Sequence, residues 1–461
     1  MNKTEIFHIL TRVVLGVLFL AIVWVVWAFT AKKPRPSVVV HPEWSRSATI
    51  YEVNIRQYTP EGTFAAFSRH LPRLKKMGVD ILWLMPVNPI GIENRKGTLG
   101  SYYSVRDYLS VNPEFGTLKD LKDLVKKAHE LGMYVIIDWV ANHTSWDNNL
   151  IREHPEWYTH DSSGKIIAPV PDWTDAADLN YDQPGLRKYM TDALIYWVKE
   201  AGIDGFRCDV AGMVPVNFWN RAVPEVKKVK HVFMLAEWET PEMHDSAFDM
   251  TYSWDMFKTM NSIAKKEQTA NYIDTVLKHN AKRYNPDAYR MLFTSNHDEN
   301  SWNGSEYERM GDGAKAFAVL TFTLPGMPLI YSGQEAAFNH RLLFFDKDSI
   351  KWDNYPLASF YSRLIRLRKE NSALWSGTTG GRMLKIKTRN DKAVYAFSRE
   401  NNKDHVLVVV NLSVTPQSVK IKGNSIQGTY TEVFTGKPKI FGPESTLSLK
   451  PWEYLVFEKK Q

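Results

Sequence analysis

Arg207 and Asp209 stand two residues apart in the run Gly205-Phe206-Arg207-Cys208-Asp209, with Ile203 leading in. On a β-strand that spacing turns both side chains to one side. A cation and an anion together at the end of an apolar strand are costly in a core unless they are paired or working. Three more apolar runs end in the same manner. Tyr134-Val135-Ile136-Ile137 leads to Asp138 and then Asn142-His143. Val232-Phe233-Met234-Leu235-Ala236 leads to Glu237, and Met291-Leu292-Phe293-Thr294-Ser295 leads to Asn296-His297-Asp298. If these strands share one rim, their carboxylates and two histidines converge. Two carboxylates flanking a bond are the minimum for glycoside hydrolysis, one as nucleophile or base and the other as proton donor. Arg207 would keep Asp209 ionised and oriented. Glu237, next to Trp238, is the candidate for a raised pKa, and Glu239 is a rival placed past the strand end. Asp298 with His297 could hold sugar hydroxyls, and Tyr102, Tyr103 and several tryptophans offer flat faces for sugar rings.

The elements that must position these groups alternate between strand and helix. Ile50 to Ile55 and Ile81 to Met85 read as strands, the second stopped by Pro86. Phe64 to Met77 has helical periodicity up to Gly78, and Leu118, Leu121, Val125 and Ala128 mark another helix that ends at Gly132. After the Tyr134 strand and an irregular stretch, Leu186, Met190, Ala193 and Trp197 mark a helix closed by Gly202. Helices follow over Val216 to Val226, Ile263 to Ala281, Ala314 to Thr323 and Leu357 to Lys369. A short strand is expected near Phe248 to Tyr252 and another over Pro328 to Tyr331. About eight strand–helix units are the pattern of a (β/α)8 TIM barrel, whose active site lies at the strand C-termini. A doubly wound sheet shares the alternation. The fold class expected is α/β: residues 48–375 as the barrel, with a short inserted subdomain after strand 3 over 144–180. Past Ser376-Gly377 short strands with turn residues between them predict a C-terminal antiparallel β-sandwich over 376–461.

The chain has 461 residues, 44% of them hydrophobic, which excludes a disordered chain and suffices for a large core and a smaller domain. Its formal net charge is +7; five basic residues and one acid through Pro36 account for +4, leaving +3 for the rest. Such a body, without a basic run, gives no reason to expect nucleic acid. Cys208 is the lone cysteine, so no internal disulfide forms and cysteine usage does not settle the compartment. Val13 to Ala31 carries no charge and is bracketed by Arg12 and Lys32-Lys33-Pro34-Arg35. This is the length of a transmembrane helix, and Trp24 and Trp27 suit an interface. The expectation is an N-terminal membrane anchor over 1–33 and a linker over 34–47. The competing reading is a cleaved signal peptide, which Ala28-Phe29-Thr30 matches poorly as a cleavage site. The catalytic domain is expected outside the cytoplasmic membrane, in a periplasmic or extracellular space. The basic flank after the segment argues the other way, although large domains translocate largely regardless of charge.

The ordered motifs together resemble the α-amylase superfamily, glycoside hydrolase family thirteen, across the barrel and the C-terminal β domain. Asp138-Trp139-Val140-Ala141-Asn142-His143 is similar to its first motif, Gly205 to Asp209 to the second, Ala236-Glu237 to the third and Asn296-His297-Asp298 to the fourth. Asp178-Leu179-Asn180, Gly326-Met327-Pro328, Tyr331 to Glu335, and Tyr103 with Asp107 add to the likeness. The resemblance implies Asp209 as nucleophile, Glu237 as acid/base and Asp298 as transition-state stabiliser. It implies Tyr103, Asp138, His143, Arg207 and His297 as contacts around the sugar, and Glu335 as structural. It implies a retaining hydrolase of α-1,4-linked maltooligosaccharides or related α-glucans, with a transglycosylase, an α-glucosidase or a non-catalytic transporter heavy subunit as alternatives. Asn142 and Asp178 match two of the family's calcium ligands and could hold calcium; no organic cofactor is expected. Gly212 and Met213 depart from the Lys-His pair that many α-amylases carry after the nucleophile. Trp146, Trp157, Tyr158 and Trp173 in the insertion could line the cleft or pack within it.

Overall fold

A computed structural model describes residues 39–423 and 426–459. Eight parallel strands close into a barrel in sequence order: β1 (Ile50–Val53), β2 (Ile81–Leu84), β3 (Tyr134–Trp139), β4 (Gly205–Cys208), β5 (Phe233–Ala236), β6 (Met250–Tyr252), β7 (Tyr289–Leu292) and β8 (Met327–Tyr331). The expected barrel is therefore present, and the doubly wound alternative is not. The two-residue period of a strand sorts the side chains. Ile50, Ile81, Trp83, Ile136, Phe233, Leu235, Met250 and Met291 belong to the barrel's interior, while Tyr51, Val53, Leu82, Leu84, Val135 and Ile137 pack outward under the helices. The next inward positions toward the strand C-termini are Glu52, Asp138 and Arg207, all fully buried. Register sets Asp138 directly beside Arg207, and Glu52 between Trp83 and Tyr331. Gly205 makes the β4–β5 pairing possible, because a Cβ there would lie 1.9 Å from the Phe233 carbonyl oxygen.

The helical periodicity over Phe64 to Met77 resolves into two pieces, Phe64–Ser68 and Leu71–Met77. Pro72, in the first turn of the second piece, cannot donate a backbone hydrogen bond back into the first. The helix expected over Ile263 to Ala281 is likewise two, Trp254–Ala264 and Tyr272–Arg283. The remaining helices, Leu118–Glu130, Pro184–Glu200, Val216–Val229, Ala314–Thr323 and Ala358–Glu370, follow the expected pattern. The first of them starts on a capping box in which Thr117 and Asp120 satisfy each other's backbone amides. After β3 a two-residue ladder pairs His143 with Asp178 and Thr144 with Ala177, closing the insertion at its base.

Among the described residues eight antiparallel strands follow the barrel. Six form one sheet, and Gln417–Lys422 pairs with Glu444–Leu449 in a second. Val419, Ile421, Leu447 and Leu449 of the small sheet share a core with Val394, Leu407, Val409 and Phe457 of the large one, which is sandwich packing.

The end of the stretch expected as a linker is packed against the barrel. The Trp44 ring stacks on Tyr134 at 3.9 Å and the His41 ring on Tyr289 at 4.0 Å. His41 Nδ1 also lies 2.8 Å from the buried Asp249 carboxylate. Tyr134 and Tyr289 are the first residues of β3 and β7, so the chain enters at the floor of the barrel. Among the described residues no helix is long and apolar enough to cross a membrane. The expected anchor over 1–33 lies outside the described residues.

Candidate active site

Arg207 is the hub of the strand C-terminal face. Its Nη1 donates to Asp138 Oδ1 at 2.8 Å and to Asp209 Oδ1 at 3.0 Å, and its Nε donates to Tyr252 Oη at 3.2 Å. Its Nη2 lies 2.9 Å from Glu237 Oε2, an ion-pair contact without hydrogen-bonding alignment. Nitrogens of one guanidinium thus touch both carboxylates of the expected catalytic pair. Asp138 is held from its other side by Trp83 Nε1 at 3.2 Å and Tyr103 Oη at 3.0 Å. Glu237 also accepts the Val210 N–H at 2.8 Å. Val210 presents that amide from a left-handed conformation (φ 35°), a costly state for a β-branched residue.

His297 joins the network from β7's side. Its Nε2 is 2.8 Å from Tyr103 Oη and 3.3 Å from Asp298 Oδ2, and its Nδ1 is 2.5 Å from Glu52 Oε1. Burial works to lower the His297 pKa, but the Asp298 and Glu52 carboxylates outweigh it and hold the imidazolium up to about 9. As an imidazolium it donates through both nitrogens, which leaves the Tyr103 hydroxyl proton for Asp138. His143 goes the other way: burial pushes it down to about 4, so it is neutral near pH 7.

Five acids, Glu52, Asp138, Asp209, Glu237 and Asp298, meet two cations, Arg207 and His297. Burial raises the pKa of Asp209, and the Glu237 charge raises it further despite Arg207; burial raises Glu237 as well. Arg207 acts to lower the Asp209 pKa, as its charge is expected to, and it touches three carboxylates.

These groups line a cavity of about 510 Å³, within the usual range for small-molecule sites. Tyr103, His143, Asp209, Glu237, His297 and Asp298 all face it, and Trp173, Trp302, Phe344 and Phe345 supply its aromatic walls. Asp138 and Arg207 lie beneath, fully buried. Of the other aromatic candidates, Trp157 and Tyr158 are buried within the insertion. Trp146 lines a separate shallow depression. Tyr102 is buried under the Arg56 guanidinium, 4.3 Å above its ring. Glu239 is drawn away from the cavity by Arg290, whose Nη2 donates to it at 2.6 Å. Burial first and Asp255 second still push Glu239 up to about 7. Glu335 accepts hydrogen bonds from Tyr51 and Arg73 and is structural, as expected.

Asn142 and Asp178 are near each other in the chain's path, since the Leu179 N–H donates to the Asn142 carbonyl at 3.1 Å. Calcium takes six to eight oxygens. This pair brings one amide and one carboxylate, and among the described residues no group of three or more His, Cys, Asp or Glu side chains is placed to hold a metal. No step below runs through the ion.

Residues 42–174 and 170–405 match the alpha amylase catalytic domain, and residues 385–456 match the maltogenic amylase C-terminal domain. The chain belongs to the alpha-amylase family. Among curated family members it is 28% identical over 401 residues to the alpha-amylase MalA of Haloarcula japonica, covering 82% of this chain and 57% of MalA. It thus spans little more than half of that relative. Two solved alpha-amylase structures match nearly end to end. A noncanonic maltogenic alpha-amylase, AmyB, from Thermotoga neapolitana has a TM-score of 0.82 at 31% identity, covering 90% of this chain and 99% of that one. An alpha-amylase from Lactobacillus plantarum has a TM-score of 0.81 at 32% identity, with the same coverage.

Sequence reasoning missed Glu52 and three members of the aromatic wall, while Trp173 was among the expected cleft residues. Glu52 had a signal, being a charge at the inward position of a strand whose neighbours are apolar. Phe344 and Phe345 sit in a loop without periodicity, and Trp302 in the five-residue π-helical turn Glu299–Asn303. Gly212, the departure noted above, has a steric cause: a Cβ there would lie 1.9 Å from Trp238 Cε2, so the indole occupies the space of a larger side chain. Trp238 and Trp254 line a second cavity of about 370 Å³ that shares Val210 and Glu237 with the first.

Proposed function

We propose that this chain is a retaining glycoside hydrolase that cleaves α-1,4-glucosidic bonds in maltooligosaccharides or related α-glucans. The observation that carries this is Arg207 touching both Asp209 and Glu237, with Asp298 and His297 facing the same aromatic-walled cavity. Retention needs carboxyl groups about 5–5.5 Å apart, and a shared guanidinium favours that closeness. Asp209 attacks the anomeric carbon while the bond to the leaving sugar breaks, and Glu237 gives its proton to the departing oxygen. Glu237 then takes a proton from water, whose oxygen displaces Asp209 and frees the sugar with its original configuration. Asp298 and His297 hold hydroxyls of the distorted ring, and Asp138, Arg207 and Tyr103 fix the nucleophile's surroundings. The names of the relatives, alpha-amylase and maltogenic alpha-amylase, agree with this substrate class.

A glycosyl fluoride of a short maltooligosaccharide tests the mechanism. Incubated with Glu237→Gln, it should add one glycosyl group to the intact protein mass, localised by peptide mapping to Asp209. Asp209→Asn should stay unmodified and inactive. A label on any other residue, or turnover by Asp209→Asn, sinks the assignment. One observation favours a second outcome of the same chemistry. The tryptophan-lined cavity beside Glu237 could seat a sugar acceptor in place of water, giving transglycosylation; products longer than the substrate would reveal it. A transporter heavy subunit would copurify with a multi-span partner and cleave no maltooligosaccharide.

The apolar segment over Val13 to Ala31 supports an N-terminal anchor, and we propose that the enzyme lies on the outer side of the membrane. Protease added to intact spheroplasts should digest the domain; protection until lysis would put it in the cytoplasm.

A further inference from the structure

One buried glutamine holds the aromatic wall of the main cavity from behind. Phe344 and Phe345 stand in the segment 342–350 after β8, which contains neither helix nor strand. Gln57 belongs to the one-turn helix Ile55–Tyr58 after β1, and its own N–H is fixed by Asn54 Oδ1 at 3.3 Å. The residue is 1% exposed. Gln57 Nε2 donates to Leu343 O at 2.5 Å and reaches Asp346 O at 3.4 Å. Gln57 Oε1 accepts the Asp348 N–H at 2.9 Å, and the Gln57 carbonyl accepts the Ile350 N–H at 2.9 Å. One residue thus ties down the backbone on both sides of Phe344 and Phe345.

The chemistry of the amide suits this task. A glutamine side chain has one acceptor oxygen and a donor NH2. The segment offers it carbonyls on one side and an N–H on the other, so only one orientation of the amide satisfies all of them. The Leu343 side chain is 53% exposed and anchors nothing; its carbonyl does. The wall held in this way stands against the reaction centre. The Phe344 ring lies parallel to Tyr103 with centres 6.2 Å apart, and its centre is 6.3 Å from that of His297. Gln57 itself does not face the cavity. We infer that Gln57 is the positioning residue of the aromatic wall and sets how tightly the cavity grips an α-glucan, without touching the reacting atoms. Leu99 N–H to Phe345 O at 3.0 Å and Lys347 Nζ to Arg56 O at 2.6 Å hold the middle of the segment independently. Loss of the glutamine side chain therefore loosens the wall without releasing it. The inference rests on the hydrolase reading above and adds a residue, remote from the cavity, that governs substrate affinity.

Wild-type enzyme, Gln57→Leu, Phe344→Ala/Phe345→Ala and the triple variant are compared by initial rates on maltopentaose. Leucine fills the space of glutamine but takes the side-chain partner from Leu343 O and the Asp348 N–H. Gln57→Leu should raise KM by about tenfold, the order expected for losing hydrogen bonds to backbone groups, and leave kcat within about twofold. In the double-alanine background the same change should raise KM by less than about twofold, because the wall it acts through is gone. A purely structural role would instead lower activity alike in both backgrounds. Gln57→Asn keeps the amide on a stem one methylene too short to reach both partners, and carries the same comparison should the leucine variant fail to fold. An unchanged KM, a loss confined to kcat, or an equal rise of KM in both backgrounds overturns the inference and leaves the hydrolase reading standing. Wild-type enzyme that cleaves no α-1,4-glucan removes that reading, and this inference with it.

Discussion

Glu52→Gln is the sharpest single change the structure suggests. Glu52 is fully buried, its Oε1 lies against His297 Nδ1, and its Oε2 has no partner. Glutamine keeps the shape and an oxygen that can accept from Nδ1–H, but removes the charge. His297 is held at about 9 against an ordinary 6.5, which at about 1.4 kcal/mol per pH unit is about 3 kcal/mol in favour of the imidazolium. Asp298 and Glu52 together supply this against burial. If Glu52 gives about half, its loss brings the His297 pKa down to about 7.5. Above that pH the neutral ring would accept from Tyr103, and Asp138 would lose its Tyr103 hydrogen bond. The alkaline limb of kcat/KM should therefore move from about 9 to about 7.5 in the variant, while the acid limb stays. Stability follows the same sign. Because the folded pKa is raised, this histidine's contribution is fully present below about 6.5 and lost as pH rises through about 9. The variant should lose thermal midpoint at neutral pH and little near pH 9 or above. An alkaline limb unchanged at about 9 in a folded Glu52→Gln enzyme would refute the coupling.

Three further outcomes follow from the geometry. Arg207→Lys gives up a planar fork that serves three carboxylates. It should cost about 3–5 kcal/mol in denaturant titration, together with activity; a midpoint within error of wild type would contradict the hub role. Gly212→Ala places a Cβ against the Trp238 indole and should raise KM for long maltooligosaccharides more than for maltotriose, read from initial rates; equal effects on both would separate Trp238 from substrate binding. Dialysis against a chelator should leave the thermal midpoint unchanged, since Asn142 and Asp178 offer one carboxylate between them; a fall reversed by added calcium would show a donor set the side chains do not reveal.

Much of this site was legible because strand chemistry is strict. A two-residue period and a common end of the strands bring Asp138, Arg207 and Glu237 together once the barrel is granted, and apolar runs ending on charge point to the barrel. What stayed hidden depends on distant segments. Phe344 and Phe345 reach the cavity through a loop whose course is set by contacts with Thr98 and Leu99, more than two hundred residues upstream. The break at Pro72 was visible as a proline, yet the hydrophobic spacing runs through it, so periodicity alone joined two helices. The upward shift of Asp209 and Glu237 comes from burial among five acids crowded around two cations, and no pair of residues read from the sequence shows that crowding.

The entry of the chain at the barrel floor has a mechanical consequence. His41 and Trp44 clamp the polypeptide at the starts of β7, β6 and β3, while the cleft opens at the far ends of the same strands. Anything joined to the chain ahead of Val39 therefore pulls on the face opposite the mouth. A load applied through that segment falls first on the clamp and the closed barrel. Were the N-terminus fixed to a surface, the enzyme would stand with its mouth turned outward, free to meet long and bulky glucans that could never fit beneath it.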